Sequence, residues 1–427
     1  MQDYGRTRDY LYSLKNHGSK YGIDRMRLFA QALGQPHQQF PCIHVAGTNG
    51  KGSTCAMLEA IYRSNGYKTG LYTSPHLIRQ GERVQVNRSI LSEQAIIAYT
   101  ERLRPMADAL GANDPEDHPS FFEFMTAMAF LHFAEQAVDI ALIETGLGGR
   151  LDATNVVEPE LSIITSISLD HQDLLGDTLE MIASEKAGII KAGKPVIIGR
   201  LPPEAEAVIR GVAAERGCAV HSVVEHYPDP KKLPQTNLAG SFQRWNAAVA
   251  QLASELLNDR FPVNTAKSAE ALQSIQWAGR WDRIELRDRT LILDATHNPE
   301  GAVFLHENLS RLIERTGKKP IIVAGTLGEA RGRKLMETIA PHAAELYLLV
   351  PDQSRATPTE FLENCLPRQR DFRVEHAKID ALFPSLGQCT IGQAGDTIVV
   401  TGSIYLIGEV MERMTCEVPL KQGLLQD

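Results

Sequence analysis

The sequence predicts an α/β protein in which a doubly wound, mainly parallel sheet domain is followed by a smaller α/β domain. Three observations carry this. Apolar strand-like runs at 41–46, 68–73, 138–144, 160–167 and 194–199 are separated by segments of helical periodicity, the pattern of parallel strands joined by helices. The first run breaks into glycines around a single lysine and then into a helix, the local setting of a phosphate-binding loop. A strand starts afresh at 290–294 and is followed by further strands near 320–324, 345–350 and 397–401 between helices.

Taken in order, residues 6–16 and 24–33 read as helices on the spacing of Leu11, Leu14, Met26, Leu28, Phe29 and Leu33, with a loop at 18–24 between them. The glycine loop at 47–52 and its helix end at Asn65-Gly66, a turn signal, before the strand that leads to Ser74. A short alternating strand at 82–87, a helix over 92–110, a loop at 113–119 and an apolar helix over 121–137 follow. The strand at 138–144 closes on Glu144, and the one at 160–167 precedes Leu169-Asp-His171. Beyond residue 200 helix and short strand alternate, a long apolar helix opens near Asn237, and the domain boundary is expected near Asp282, giving domains 1–281 and 282–427. In sheets of this kind ligands bind outside the carboxyl ends of the strands. The glycine loop, Ser74, Glu144 and His171 all fall there and define one expected site.

The bulk numbers narrow the function. A chain of 427 residues exceeds one comfortable core, and 43% hydrophobic with 22% charged residues describes an ordinary globular protein. A net charge of -8 argues against a general nucleic-acid surface. The six cysteines show no C-x-x-C pairing, which favours reduced thiols in a cytoplasmic protein. No apolar run approaches membrane-spanning length, and the first ten residues lack the apolar core of a signal peptide.

The chemistry begins at His44-Val-Ala-Gly-Thr-Asn-Gly-Lys-Gly-Ser-Thr54. Gly47, Gly50 and Gly52 can take backbone angles closed to other residues, letting N–H groups converge on an anion at the positive end of the helix. Lys51 adds a full charge, and Ser53 or Thr54 a hydroxyl for Mg²⁺. Glu144 ends its strand as an acidic metal-holding residue does. The glycines of Thr145-Gly-Leu-Gly-Gly-Arg-Leu-Asp-Ala-Thr-Asn155 let backbone approach a ligand. His171 suits a metal as well as it suits a hydrogen-bonded structural role, and Lys186 reads by default as a solvated helical lysine.

The glycine loop, with its lysine and hydroxyl separated by Gly52, resembles that of the Mur ligase superfamily. Within it the chain resembles the folylpolyglutamate synthase / dihydrofolate synthase family. Gly22-Ile-Asp-Arg, Thr73-Ser-Pro-His-Leu, Glu82-Arg-Val, Phe121-Phe-Glu, the 144–155 string, Leu169-Asp-His and Glu185-Lys-Ala-Gly-Ile-Ile-Lys stand in the family's order. So do Leu293-Asp-Ala-Thr-His-Asn-Pro, Ser354-Arg-Ala and Thr401-Gly-Ser-Ile-Tyr-Leu-Ile-Gly-Glu-Val. The resemblance implies a P-loop domain followed by a Rossmann-like domain, and ATP held by Asn49, Gly50, Lys51, Gly52 and Ser53 with Asn246, Arg280 and Asp294. It implies two Mg²⁺ ions, one near Ser74 and Glu144 and a second near Glu144, His171 and a carbamylated Lys186. It places the pterin among Ile23, Asp24, Phe121, Phe122, Glu123, Leu151, Asp152 and Ala153. His297, Asn298 and Arg355 are expected to meet the amino acid and nucleotide, and Lys51, His171 and Lys186 to act in catalysis.

The implied activity is ATP-dependent ligation of L-glutamate to dihydropteroate, to reduced folates, or to both, by a monomer with no nucleic-acid or membrane partner. A Mur-type ligase acting on another acyl substrate shares the loop and metals. A nucleotide-dependent switch would need the loop but not Asp294, His297 and Asn298. Asp294-Ala-Thr-His-Asn also reads as helix-capping chemistry. Three departures from the family's pattern stand out: Phe242 before Gln243, Gln80-Gly81 before Glu82, and Gly328-Glu329 in the second domain.

Overall fold

The computed structural model describes residues 3–14 and 22–416. The first helix is Tyr4–Ser13. The end of the helix expected over 6–16 and most of the loop at 18–24 lie outside the described residues. The chain divides into two compact units, Met1–His76 with Gln80–Asn237 and Gln243–Ile275, and Leu77–Arg79 with Leu238–Phe242 and Gln276–Asp427.

The first unit is built on eight strands, β1 (Cys42–Ala46), β2 (Thr69–Tyr72), β3 (Val84–Val86), β4 (Ser89–Ile90), β5 (Ile140–Glu144), β6 (Leu161–Ile164), β7 (Val196–Ile198) and β8 (Val220–Ser222). They lie in the order β4-β3-β2-β5-β1-β6-β7-β8. The six from β2 to β8 are parallel, and β3 and β4 form an antiparallel edge. Every residue of β1, β2, β5, β6 and β7 is buried, as apolar runs covered by helices on both faces must be. One face carries the helices Asp24–Ala32, Glu93–Asn113 and Phe121–Glu135, packed through Phe29, Leu103, Phe124, Phe130 and Phe133. Helix Lys51–Ser64 is tied instead to the helix Thr265–Ala271, where Asn65 Nδ2 donates to Ser268 Oγ at 3.3 Å. Because β5 lies between β1 and β2, the loops after β2, β5, β1 and β6 emerge side by side.

The second unit has six strands, β9 (Arg280–Glu285), β10 (Thr290–Asp294), β11 (Ile321–Ala324), β12 (Glu345–Leu348), β13 (Arg373–His376) and β14 (Thr397–Thr401), in the order β13-β12-β11-β14-β10-β9. All neighbours are parallel except β9, which runs antiparallel along β10. Alternate side chains go to opposite faces. Leu291, Leu293, Val323, Ile398 and Val400 meet helix Ile404–Thr415, whereas Ile292, Ile322, Leu346 and Val399 meet helices Pro299–Thr316 and Glu329–Ile339. This unit takes up at Gln276, ahead of the 281/282 boundary expected from sequence. Strand β9 crosses that point, and its ladder with β10 holds it wholly in the second unit.

Candidate active site

Between β1 and the helix that begins at Lys51 the chain turns sharply. Gly50 sits at φ +84°, and a Cβ added there would stand 2.5 Å from Asn246 Oδ1. Gly50→Ala therefore combines left-handed strain of ~1–2 kcal/mol with displacement of Asn246. Nucleotide binding, measured calorimetrically with ADP, should weaken about tenfold or more, the equivalent of ~1.4 kcal/mol.

The loop is held from β6. The Thr48 N–H donates to Ser166 O at 2.8 Å, the Asn49 N–H to Ser166 Oγ at 3.0 Å, and Thr165 Oγ1 to Asn49 O at 2.6 Å. Gly52 and Ser53 make the first helical turn, with N–H groups at its positive end. Gln243, fully buried, donates to Ser53 Oγ at 3.3 Å, and Asn246 Nδ2 donates to Gln243 Oε1 at 3.0 Å. Lys51 Nζ folds back on the loop, donating to Gly47 O at 3.1 Å and Thr48 O at 3.3 Å.

Lys186 is not the solvated lysine its sequence context suggests. It is 4% exposed and donates to the same Gly47 O at 2.9 Å. Burial, followed by the charge of Lys51, pushes its pKa down from 10.5 to about 7, while Asp170 and Asp152 oppose the shift.

Glu144, buried at the end of β5, accepts the Ser74 N–H at 3.2 Å on Oε2. A buried carboxylate at a strand end fits a hard, oxygen-seeking ion such as Mg²⁺. His171 lies exposed at φ 49° ahead of the single turn Gln172–Leu175, with its N–H on Asp170 Oδ1 at 3.0 Å. Among the described residues no three His, Cys, Asp or Glu side chains converge as a ligand set. A second ion at His171 and Lys186 would thus depend on a carboxylate added to the lysine.

On the expected pterin side, Ile23, Phe121 and Ala153 are buried, and Phe122 and Leu151 half-buried. Phe122 lies 6.1 Å from the Tyr72 ring, and Arg83 lies over Phe121 at 5.3 Å. Glu123 closes a capping box with Ser120 and accepts Arg25 Nε at 3.1 Å, fastening the start of the Asp24–Ala32 helix to that of the Phe121–Glu135 helix. Asp24 is exposed and pairs with Arg27 at 3.0 Å. Gln80 is buried and accepts the Tyr4 hydroxyl at 3.2 Å, while a Cβ at Gly81 would run into Leu91 O, so this departure from the family's pattern suits its own packing.

Asp152 is committed to its own loop. Oδ2 accepts the N–H groups of Gly146 and Leu147, each at 2.9 Å, and Oδ1 accepts the Thr154 N–H at 2.9 Å and the Thr154 hydroxyl. Truncating it leaves three backbone donors without their acceptor. Asp152→Ala should cost about 3 kcal/mol or more in urea denaturation, and should raise KM for any substrate that meets this loop because the loop loses its shape.

In the second unit Arg280 and Asp294 are cross-strand neighbours at the end of β10, and the positive charge of Arg280 acts on the buried Asp294, whose pKa burial raises. Asn298 caps helix Pro299–Thr316 through the Gly301 N–H at 2.9 Å, and His297 Nδ1 lies 2.8 Å from Ala295 O. Arg355 is exposed on the segment after β12, its carbonyl accepting the Gly328 N–H at 3.3 Å. Gly328 sits at φ +87° where the helix beginning at Glu329 starts. Phe242 stacks on Phe304 at 4.2 Å.

Sequence reasoning passed over four residues. Thr165, Ser166 and Gln243 hold the glycine loop; the signal was a polar pair closing an apolar run and a glutamine entering an apolar helix. His44, fully buried, lies 2.8 Å from Thr154 Oγ1 through Nε2, and burial lowers its pKa to about 3, so it is a neutral prop.

The Mur ligase middle domain matches residues 45–228, and the Mur ligase glutamate ligase domain residues 279–404. The dihydrofolate synthase/folylpolyglutamate synthase of Bacillus subtilis (strain 168) is 33% identical over 433 residues, covering 96% of this chain and 99% of the relative. Among solved structures, a folylpolyglutamate synthase from Thermotoga maritima superposes with a TM-score of 0.83 at 30% identity, over 98% of both chains. E. coli FolC in complex with DHPP and ADP gives 0.79 at 30% identity, over 95% of this chain and 97% of that one. The glycine loop with Lys51, the buried Lys186 donating to it, the Glu144 strand end and matches of this extent agree: the chain belongs to the folylpolyglutamate synthase/dihydrofolate synthase family of ATP-dependent ligases.

Proposed function

We propose that this ligase forms an amide between L-glutamate and dihydropteroate, the terminal glutamate of reduced folates, or both, through an acyl phosphate. The observation that carries the proposal is the convergence of Lys51 and the buried Lys186 on Gly47 O, at the end of the strand beside the one that ends in Glu144. A nucleotide switch has no use for a buried amine there.

A carboxylate is a poor electrophile, so the γ-phosphoryl group of ATP must first be transferred to it to supply a leaving group. The helix N-terminus at Gly50–Ser53 and the Lys51 ammonium offset the charge gathered between triphosphate and carboxylate. Glu144 and Ser74 would hold one Mg²⁺, and Glu144, His171 and a carbamylated Lys186 a second, which would supply further charge neutralisation. Asn246, Arg280 and Asp294 orient the nucleotide. The pterin meets Ile23, Asp24, Phe121, Phe122, Leu151 and Ala153, with Glu123 and Asp152 fixing those segments. His297, Asn298 and Arg355 orient glutamate, whose amine attacks the acyl phosphate and releases phosphate. The reaction is assigned to the cytoplasm; among the described residues no helix is long and apolar enough to cross a membrane.

Purified protein incubated with ATP, Mg²⁺ and L-glutamate, with dihydropteroate and tetrahydrofolate in separate tubes, should release ADP and form a glutamylated product in at least one. ADP release with neither acceptor, or only with an unrelated acyl substrate, would favour the Mur-type alternative.

A further inference from the structure

A cavity of 290 Å³ opens on the first unit, lined by Arg27, His37, Asn155, Glu158 and Lys191, with Val156 and the amide side chains of the 31–38 segment. None of the glycine-loop, Ser74, Glu144 or Lys186 positions lines it. Its charges are unevenly placed. Lys191 is 18% exposed and lies 3.7 Å from Glu158, whose own side chain is 73% exposed. Arg27 pairs with Asp24, which is 86% exposed. Counter-ions so far out in water are screened and count for little. Burial lowers the Lys191 pKa; Glu158 opposes this, and the charges of Arg216 and Arg27 add to it.

Two buried polar atoms on this wall lack a partner. His37 is 8% exposed, its ring 5.8 Å from Phe130, and Nδ1 has no hydrogen bond. Asn155 is 7% exposed; its Nδ2 donates to Arg150 O at 3.1 Å and Gly188 O at 3.2 Å, which fixes the amide and leaves Oδ1 an acceptor with no donor. Orphaned buried polar atoms are rare and each calls for an explanation. The wall thus offers the exposed cation Arg27, the ammonium of Lys191, which donates to Asn155 O at 2.9 Å and keeps two further N–H groups, a histidine nitrogen able to donate, glutamine amides and one orphaned acceptor, with the Glu158 carboxylate at its exposed rim. Monohydrogen phosphate matches that set, having several acceptor oxygens and one O–H donor, whereas a carboxylate lacks the donor.

We propose that this cavity binds a phosphate group, with Arg27, Lys191 and His37 Nδ1–H donating to its oxygens and its hydroxyl donating to Asn155 Oδ1. Because Asn155 Nδ2 ties the turn at Arg150 to the segment at Gly188, the occupant would bear on the loop that carries Leu151 to Ala153 and on the end of the Lys186 helix. The source of the group is either free inorganic phosphate or a small phosphate monoester bound as its monoanion, which keeps one O–H.

The test is calorimetric titration of the full chain saturated with Mg²⁺ and ADP, so that the glycine loop is filled, with inorganic phosphate in one arm and glycerol phosphate in another. One site is expected, weakened at least about tenfold by Lys191→Met and by the surface change Arg27→Gln. In parallel, the His37 ring resonance, identified by its loss in His37→Gln, should titrate at higher pH when the site is filled. Binding in the first arm alone assigns the site to free phosphate, and binding in both to phosphate monoesters as well. Equal affinity in wild type and both variants, or a His37 titration that phosphate does not move, would overturn the proposal.

Discussion

Lys51→Ala is expected to lower turnover at least about a hundredfold, the scale of losing one preorganised electrostatic contact in the transition state. The fold should survive the change. The backbone of Thr48 and Asn49 is held by Thr165 and Ser166, and Gly50 by its own left-handed geometry; none of these contacts involves the lysine. What is lost is a mobile charge whose ammonium now rests on Gly47 O and Thr48 O and needs only to swing from those carbonyls to a phosphate. Kinetics and thermal melting should be read together. A correctly folded mutant with wild-type turnover would remove the loop from the mechanism.

The second large effect is expected at Lys186. Only the uncharged amine forms a carbamate, and a pKa of about 7 leaves a large fraction of it uncharged near neutrality. Carbamylation, read as a carbonyl signal from ¹³C-labelled bicarbonate, should therefore rise with pH from 6 to 8 and vanish in acid. Lys186→Met should lose that signal and most of its activity. Its stability should behave differently. The unfolded amine binds a proton below 10.5 and the folded one only below about 7. Between those values the unfolded state holds more protons, so the lysine costs the wild type stability as pH falls from 10.5 to 7, and the cost is constant below that. With Lys51 still donating to Gly47 O, the methionine variant should melt no lower than wild type at pH 6, inactive as it is. A variant with full turnover, or a wild type that never shows the labelled carbonyl, would sink the carbamate.

How much of this was legible in the sequence depends on where each residue's partner lies. Strands β1, β2, β5, β6 and β7 were readable because they are buried throughout and written as apolar runs. Strands β8, β9 and β13 were not, because half-exposed strands carry polar residues that look like loop. Glu144 and the glycine loop could be placed since strand ends and glycines have positional meaning on their own. The state of Lys186 could not be read from its helix, because the carbonyl it donates to, Gly47 O, lies 139 residues away. Asp152 shows the same limit in reverse. An acid in a glycine-rich turn looks available to a ligand, and only coordinates show that its oxygens face their own backbone.

The position of β14 bears on how the chain is made. It is the last strand of the second unit in sequence, yet it lies between β10 and β11 and bonds to both. During synthesis from the amino terminus, β10 and β11 leave the ribosome with their inner edges unpaired, and some seventy residues must follow β11 before Thr397–Thr401 arrives to join them. The β9–β10 hairpin can form early, but closure of the sheet's centre waits on a long-range encounter of the kind that slows folding and exposes strand edges. A nascent chain halted before Thr397 would carry two apolar faces and no central strand, which makes this stretch a natural client for a chaperone that acts late in translation.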